Sequence, residues 1–355
     1  MYGGALMVAV GVFYLAFERK LLAKSRMSGD STAPADNLFS RSLIGAQIGL
    51  ILLAMVVTRS SAMSLQAKTG LPRGNQIVGL RQVAPLIMPF LHRLQPNNHY
   101  LHRLMVIFLT FAPTFVLLTI SYEGLFYLAF SATLITWVLL EHSIYTYSIT
   151  SAKKSGTGVP EVPASLSSSP FRSLTLTDAR ISLFFLTLLQ SAFFSTGNMA
   201  SISSFSLESV NRIIPVFDPF SQGGLLILKL MIPFALISAN LGILNKRLGV
   251  APSALFMVVI AISDFLTLHF FWVVKDEGSW LEIGSTISHF CIASLLCLFV
   301  ASLEGVSELF IAGVEVEDNS SQLGKERELG GIVMGKEPQN AVNGAAKPTE
   351  KGKRN

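Results

Sequence analysis

Nine stretches of this chain are apolar enough, and nearly long enough, to cross a lipid bilayer. They run 1–17, 43–58, 76–91, 104–120, 125–149, 181–197, 223–244, 253–274 and 283–312. A helix needs about 20 apolar residues to span the hydrocarbon core. In lipid every backbone N–H and C=O must be satisfied within the protein, so such runs become helices. The expected fold is all-α: a polytopic membrane bundle of about nine transmembrane helices over residues 1–312. Run 76–91 is the weakest, because it holds Arg81, Pro85 and Pro89. Proline removes a ladder hydrogen bond, so an interfacial or broken helix is the alternative there.

Composition narrows the function classes. Hydrophobic residues make up 51% and charged residues 14%, against roughly 25% charged in soluble domains. The net charge of +5 does not point to nucleic acid, because the basic residues sit in short clusters between apolar runs. With nine spans the loops alternate sides. One side collects Arg19, Lys20, Lys24, Arg26, Arg41, Arg93, Arg103, Lys153, Lys154, Arg172, Arg180, Lys246 and Arg247. The other collects Arg59, Lys68, Arg73, Arg212 and Lys275. Cytoplasmic loops carry the excess of Lys and Arg, which places the first set and the C-terminus in the cytoplasm and the N-terminus opposite. Cys291 and Cys297, six apart in one apolar run, match neither a zinc knuckle nor a redox pair and read as packed free thiols.

Between the spans, 151–180 is rich in Ser, Pro and Gly and reads as a flexible cytoplasmic loop. Residues 313–355 lose the apolar runs and read as a disordered cytoplasmic tail. The tail ends KGKRN, and Lys351 and Lys353 match a dilysine retrieval signal of the kind a coat protein reads on endoplasmic reticulum proteins. The first run has neither a basic leader nor a cleavage site, so a signal peptide fits poorly and a truncated chain is expected.

Ionisable groups inside spans are expensive and point to function. Lys229, Asp264, His269 and His289 are the intramembrane candidates, with Asp264 the expected partner of Lys229. Glu304 and Glu308, one turn apart near the cytoplasmic end, are expected to reach water. No HxxxH, HExxH, GxSxG or Walker-type pattern occurs, so no catalytic residue and no metal ligand is read from the sequence.

Four segments carry a resemblance: PFLHRLQPNNHYLHRLMVIFLTFAPTF, SAFFSTGNMASISSFSLESV, VFDPFSQGGLLILKLMIPFALISANLGILN and ISDFLTLHFFWVVKDEGSWLEIGSTISHF. Together, over about residues 70–312, they resemble the C-terminal membrane domain of the GPI ethanolamine phosphate transferase 1 family, in its fungal spacing. The resemblance implies transfer of phosphoethanolamine, from phosphatidylethanolamine, to the first mannose of the GPI anchor precursor in the endoplasmic reticulum membrane. It also implies that zinc and the threonine nucleophile belong to a luminal catalytic domain that has no counterpart here. The chain alone is therefore expected to be inactive and to have no cofactor of its own, with the membrane, the two lipids and that luminal domain as partners.

On this topology 195–222 and 275–282 face the lumen. Asn198, Ser201, Ser203, Ser204, Arg212, Asp218, Asp276 and Trp280 are the candidate lipid-binding residues. Hydroxyls and amide suit sugar or phosphate, Arg212 suits a lipid phosphate, and tryptophan suits the interface. The plainer reading is that the serines cap short helices and Asp218-Pro219 starts the next one. A membrane transporter lined by Lys229, Asp264 and His269, or a non-catalytic scaffold subunit, are the alternative functions.

Overall fold

The structure is a computed structural model. It describes residues 2–25, 38–68, 70–90, 99–119, 122–154, 171–196, 199–201, 204–205, 208–273, 280–312 and 314. All belong to one unit, Met1–Val316. Residues 317–355, including Lys351 and Lys353, lie outside the described residues, as do Asn198, Ser203 and Asp276.

The helices are α1 (Tyr2–Ser25), α2 (Leu38–Gln66), α3 (Arg73–Arg81), α4 (Tyr100–Leu118), α5 (Glu123–Lys154), α6 (Leu176–Thr196), α7 (Glu208–Asn211), α8 (Pro219–Arg247), α9 (Ala254–Val273) and α10 (Trp280–Ile311). A 3-10 segment covers Ala84–Phe90, and a small hairpin pairs β1 (Met199–Ser201) with β2 (Ser204–Phe205). Among the described residues six helices are long and apolar enough to cross a membrane: α2, α4, α5, α6, α8 and α10. α1 and α9 carry shorter apolar stretches, Tyr2–Glu18 and Ala254–His269. The fold is the expected all-α membrane bundle, but nine full-length spanning helices are not what these elements supply.

The weak run 76–91 is broken, and its prolines explain where. α3 ends at Arg81, three residues before the 3-10 segment that contains Pro85 and Pro89. Neither piece, at nine and seven residues, reaches the roughly 20 residues a spanning α-helix needs. Yet the chain has to travel back here. Ser40 meets His102 at 3.1 Å and Gln47 donates to Thr110 at 2.7 Å, offsets of 62 and 63 residues. A constant offset means that α2 and α4 run parallel, so the chain between Gln66 and Tyr100 recrosses the bundle. α3 starts level with the end of α2, where Asn75 donates to Ser60 at 2.9 Å. The Gln82 carbonyl then accepts from Thr114 in α4 at 3.1 Å.

α4 is the hub. It is buried on nearly every face, as expected of a helix that is apolar all round. The main core packs side chains of α1, α2, α5, α6, α8, α9 and α10 around it and the second half of α8. α8 starts as its sequence prescribes: Asp218 caps it, accepting from the Phe220 N–H at 3.2 Å, and Pro219 follows at the first helical position. α9 leans on α6 and α10 more than on its sequence neighbour α8.

These contacts sort the helix ends into two groups. At the Lys246 end, Lys246 donates to the Ile311 carbonyl and Arg103 to the Ala312 carbonyl, both at 2.9 Å. Cations thus meet the negative end of α10. Arg247 lies over the Tyr100 ring, 3.9 Å from its centroid, and Arg180 pairs with Glu141. Arg172, at the end of the 151–180 loop, bridges Asp178 at 2.8 Å and bonds the Gly249 and Leu248 carbonyls. Part of that loop is therefore ordered against the α8–α9 turn, a correction to the flexible reading of the whole range; residues 155–170 lie outside the described residues. His102 is buried inside α4. It meets Tyr14 and Ser40 at 3.1 Å and Glu18 at 3.4 Å, tying α1 and α2 to α4.

Candidate functional site

The opposite end of the bundle holds the stronger candidate. There α1 and α5 touch backbone to backbone: a Cβ on Gly3 would lie 2.8 Å from the Gly124 carbonyl carbon. Small residues permit such approaches between membrane helices. Beside this crossing is a small open cleft of about 70 Å³ lined by Gly3, Gly4, Met55, Thr58, Val116, Thr119, Gly124 and Arg212.

Arg212 is set in place by the chain around it. Val210 and Ile213 are buried, forming with Leu117, Leu118 and Leu225 a second small core. Gln222 donates to Asn211 Oδ1 and the Ile214 carbonyl, both at 3.2 Å, folding the 211–216 segment onto the start of α8. Arg212 is thereby held half-buried, and its Nη1 donates to the Thr119 carbonyl at the end of α4 at 3.2 Å. A guanidinium has five N–H donors, so this bond leaves capacity for an anion.

Glu123, the residue before Gly124 of the cleft lining, belongs to a buried ion pair. Lys229 Nζ donates to Glu123 Oε1 at 2.7 Å, with side chains 1% and 3% exposed. This corrects the expected partnership: Lys229 meets the acid at the start of α5, not Asp264. Asp264 is exposed on α9 and accepts from the Cys297 thiol of α10 at 3.1 Å. Lys229 and Glu123 neutralise each other, which leaves the Arg212 guanidinium as the charged group lining the cleft.

The other candidates are placed as follows. Asp218 caps α8 and also accepts from the Ser221 hydroxyl, and these bonds hold its carboxyl below the ordinary carboxylate range. Ser201 and Ser204 are backbone partners in the β1–β2 hairpin. Trp280 opens α10 and is 89% exposed. His269 and His289 are exposed, and His289 Nδ1 lies 2.6 Å from the Ser285 carbonyl of its own helix. Lys229, Asp264 and His269 therefore do not share one buried polar path. Among the described residues no three His, Cys, Asp or Glu side chains gather as a metal site.

Sequence reasoning missed Glu123, Thr58, Thr119 and the glycines. Glu123 carried a signal, as the acidic residue just before run 125–149. The glycines matter only where two helices cross, which no one-dimensional pattern marks.

The family model of phosphatidylinositolglycan class N (PIG-N) matches residues 1–279. The chain belongs to that family. Among its phosphatidylinositolglycan class N relatives is GPI ethanolamine phosphate transferase 1 of Chaetomium globosum, 66% identical over 334 residues, covering 92% of this chain and 36% of the relative. The protein of the same name from Neurospora crassa is 67% identical over 323 residues, covering 90% and 32%. That from Saccharomyces cerevisiae is 42% identical over 288 residues, covering 81% and 29%. The chain spans about a third of the length of the curated relatives it matches. No solved structure matches. The region matched by the family model contains Glu123, Arg212 and Lys229.

Proposed function

We propose that this chain is the membrane, lipid-handling part of a GPI ethanolamine phosphate transferase, and that the Arg212 cleft receives a lipid phosphate. On this reading the chain supports transfer of phosphoethanolamine from phosphatidylethanolamine to the first mannose of the GPI precursor in the endoplasmic reticulum. The Arg212 end faces the lumen with the N-terminus. The Lys246 end and the tail face the cytoplasm, where Lys351 and Lys353 meet a coat protein. Zinc and the nucleophile belong to a luminal domain outside these 355 residues, so the purified chain alone transfers nothing.

One observation carries the proposal: Arg212 is fixed to the Thr119 carbonyl at a bundle end, with donors to spare and lining a cleft that also includes Gly124, next to the paired Glu123. At about 70 Å³ the cleft takes a phosphate-sized group, and the lipid chains run outside along the helices. A guanidinium–phosphate pair is bidentate and geometrically selective, which lysine does not reproduce.

The test uses the full-length protein in membranes. Arg212→Ala is expected to lower lipid use roughly 10- to 100-fold, the range of a charged hydrogen bond of about 1.5–3 kcal/mol, with Arg212→Lys recovering only part. Asn198→Ala and Ser201→Ala are expected to weaken it less. Folded Arg212→Ala protein with unchanged lipid affinity and turnover would sink the assignment. Transfer by the purified chain alone would overturn the division of labour.

A further inference from the structure

Ionisable groups inside this bundle are handled in two ways. Glu123 and Lys229 are buried and paired with each other, and Arg103 and Asp178 are buried with strong partners. Those of α9 and the first half of α10 are exposed. Asp264 is the eleventh of the twenty residues of α9, and its carboxylate accepts from a thiol, a weak donor that brings no charge. His269 lies little more than one turn further on, and His289 lies across on α10; both are exposed. Charged groups facing lipid at mid-helix are expensive and rare.

The exposure is unusual in extent as well as chemistry. Only 17% of the most apolar window of α10 is buried, against 89% for α4. The second half of α10 packs into the bundle through Val300, Leu303 and Phe310, and Phe299 stacks edge-on against Phe234 of α8. Before that point Ile287, Ile292, Leu295 and Leu298 are open. The facing half of α9 is open too, through Phe265, Leu268 and Trp272. The pair accompany each other away from α8.

Acyl chains suit the apolar side chains of this surface but offer nothing to Asp264. A polypeptide suits both. We propose that the exposed half of the α9–α10 pair is the docking face for a further transmembrane helix of the same polypeptide, one presenting a cationic or amide side chain to Asp264. Two observations select this occupant. The carboxylate asks for a complementary donor at mid-membrane, and about two-thirds of the length of the relatives lies outside this chain. The inference is independent of the Arg212 site.

The experiment places a photo-crosslinking amino acid at Ile287 or Ile292 of the full-length protein in native membranes. Val56, exposed on the apolar face of α2, serves as the lipid-facing reference. The expected product at Ile287 and Ile292 is an intramolecular crosslink to a helix outside these 355 residues, mapped by peptide mass spectrometry. Asp264→Leu is expected to cut that yield several-fold, and Asp264→Asn, which keeps size and hydrogen bonding, to cut it less. Lipid adducts alone at both positions, a crosslinked second copy, or a different protein captured there would each overturn the proposal. Unchanged yield in Asp264→Leu would remove the complementary charge from it.

Discussion

Lys229 and Glu123 show how a charge survives in the middle of an apolar helix. Each side chain is almost wholly buried, and the two charges meet at 2.7 Å. Removing one member leaves the other's buried charge uncompensated by it, a change that costs about 3–5 kcal/mol in a buried pair. Lys229→Met is therefore expected to lower the unfolding midpoint of the detergent-solubilised full-length protein sharply. The double variant Lys229→Met with Glu123→Leu is expected to recover most of the loss, because two well-packed apolar groups replace a pair that had to be desolvated. If the double variant is as damaged as the single, the pair acts through something other than its charges. Asp218 titrates in the opposite setting, at an exposed helix start. Its carboxyl is held below the ordinary value of about 3.9 by the Ser221 hydroxyl and by backbone N–H groups. Its contribution is complete above that ordinary value and fades as pH falls through the depressed one. Amide exchange at Phe220 and Ser221 is expected to speed up on acidification in the native protein and to be fast at neutral pH in Asp218→Ala.

At the scale of elements, the crossing of α8 and α10 is the most exacting contact. A Cβ on Gly242 would overlap Ser307 Oγ and lie 2.9 Å from Ile311 Cδ1. Gly242→Ala is expected to destabilise by about 1–3 kcal/mol, the usual penalty for overpacking a dense interior. Ser307 Oγ is itself buried without a hydrogen-bond partner, so Ser307→Ala alone is expected to be neutral or slightly stabilising. Combined with Gly242→Ala it is expected to relieve most of the damage. Thermal unfolding of the three variants checks this, and equal loss in the single and double Gly242 variants would mean that Ile311, not Ser307, limits the crossing.

At the scale of the whole molecule, parallel packing of α2 and α4 makes the broken segment 73–90 part of a passage across the bundle. That has a consequence for topology. Cysteines placed at Lys68 and Phe217 are expected to react with an impermeant reagent from one side of the membrane, and a cysteine at Gly249 from the other. If Lys68 labels together with Gly249, the segment turns back without crossing and α2 and α4 cannot be parallel. The same parallel packing gathers Lys20, Arg41, Arg103, Arg172, Arg180, Lys246 and Arg247 at the Lys246 end, opposite Arg212.

Much of this was legible in the residues alone. Apolar runs near bilayer length mark the helices because backbone groups in lipid must bond within their own segment, and the fault at 76–91 was visible in its two prolines. Asp218-Pro219 marked the start of α8 through capping chemistry that acts over three residues. The long co-linear motifs at 89–115, 191–210, 216–245 and 262–290 carried the family resemblance. What the sequence could not determine depends on which helix stands next to which. Lys229 was recognisable as a buried cation, but Asp264 and Glu123 were both chemically suitable partners. Only the packing of α5 against α8 chose between them. The Gly3–Gly124 contact, the anchoring of Arg212 on the Thr119 carbonyl, and the exposure of Asp264 on an uncovered face are likewise facts of helix adjacency. Hydropathy reports how far a residue type prefers lipid to water, whereas partnership is decided by distances between segments a hundred residues apart.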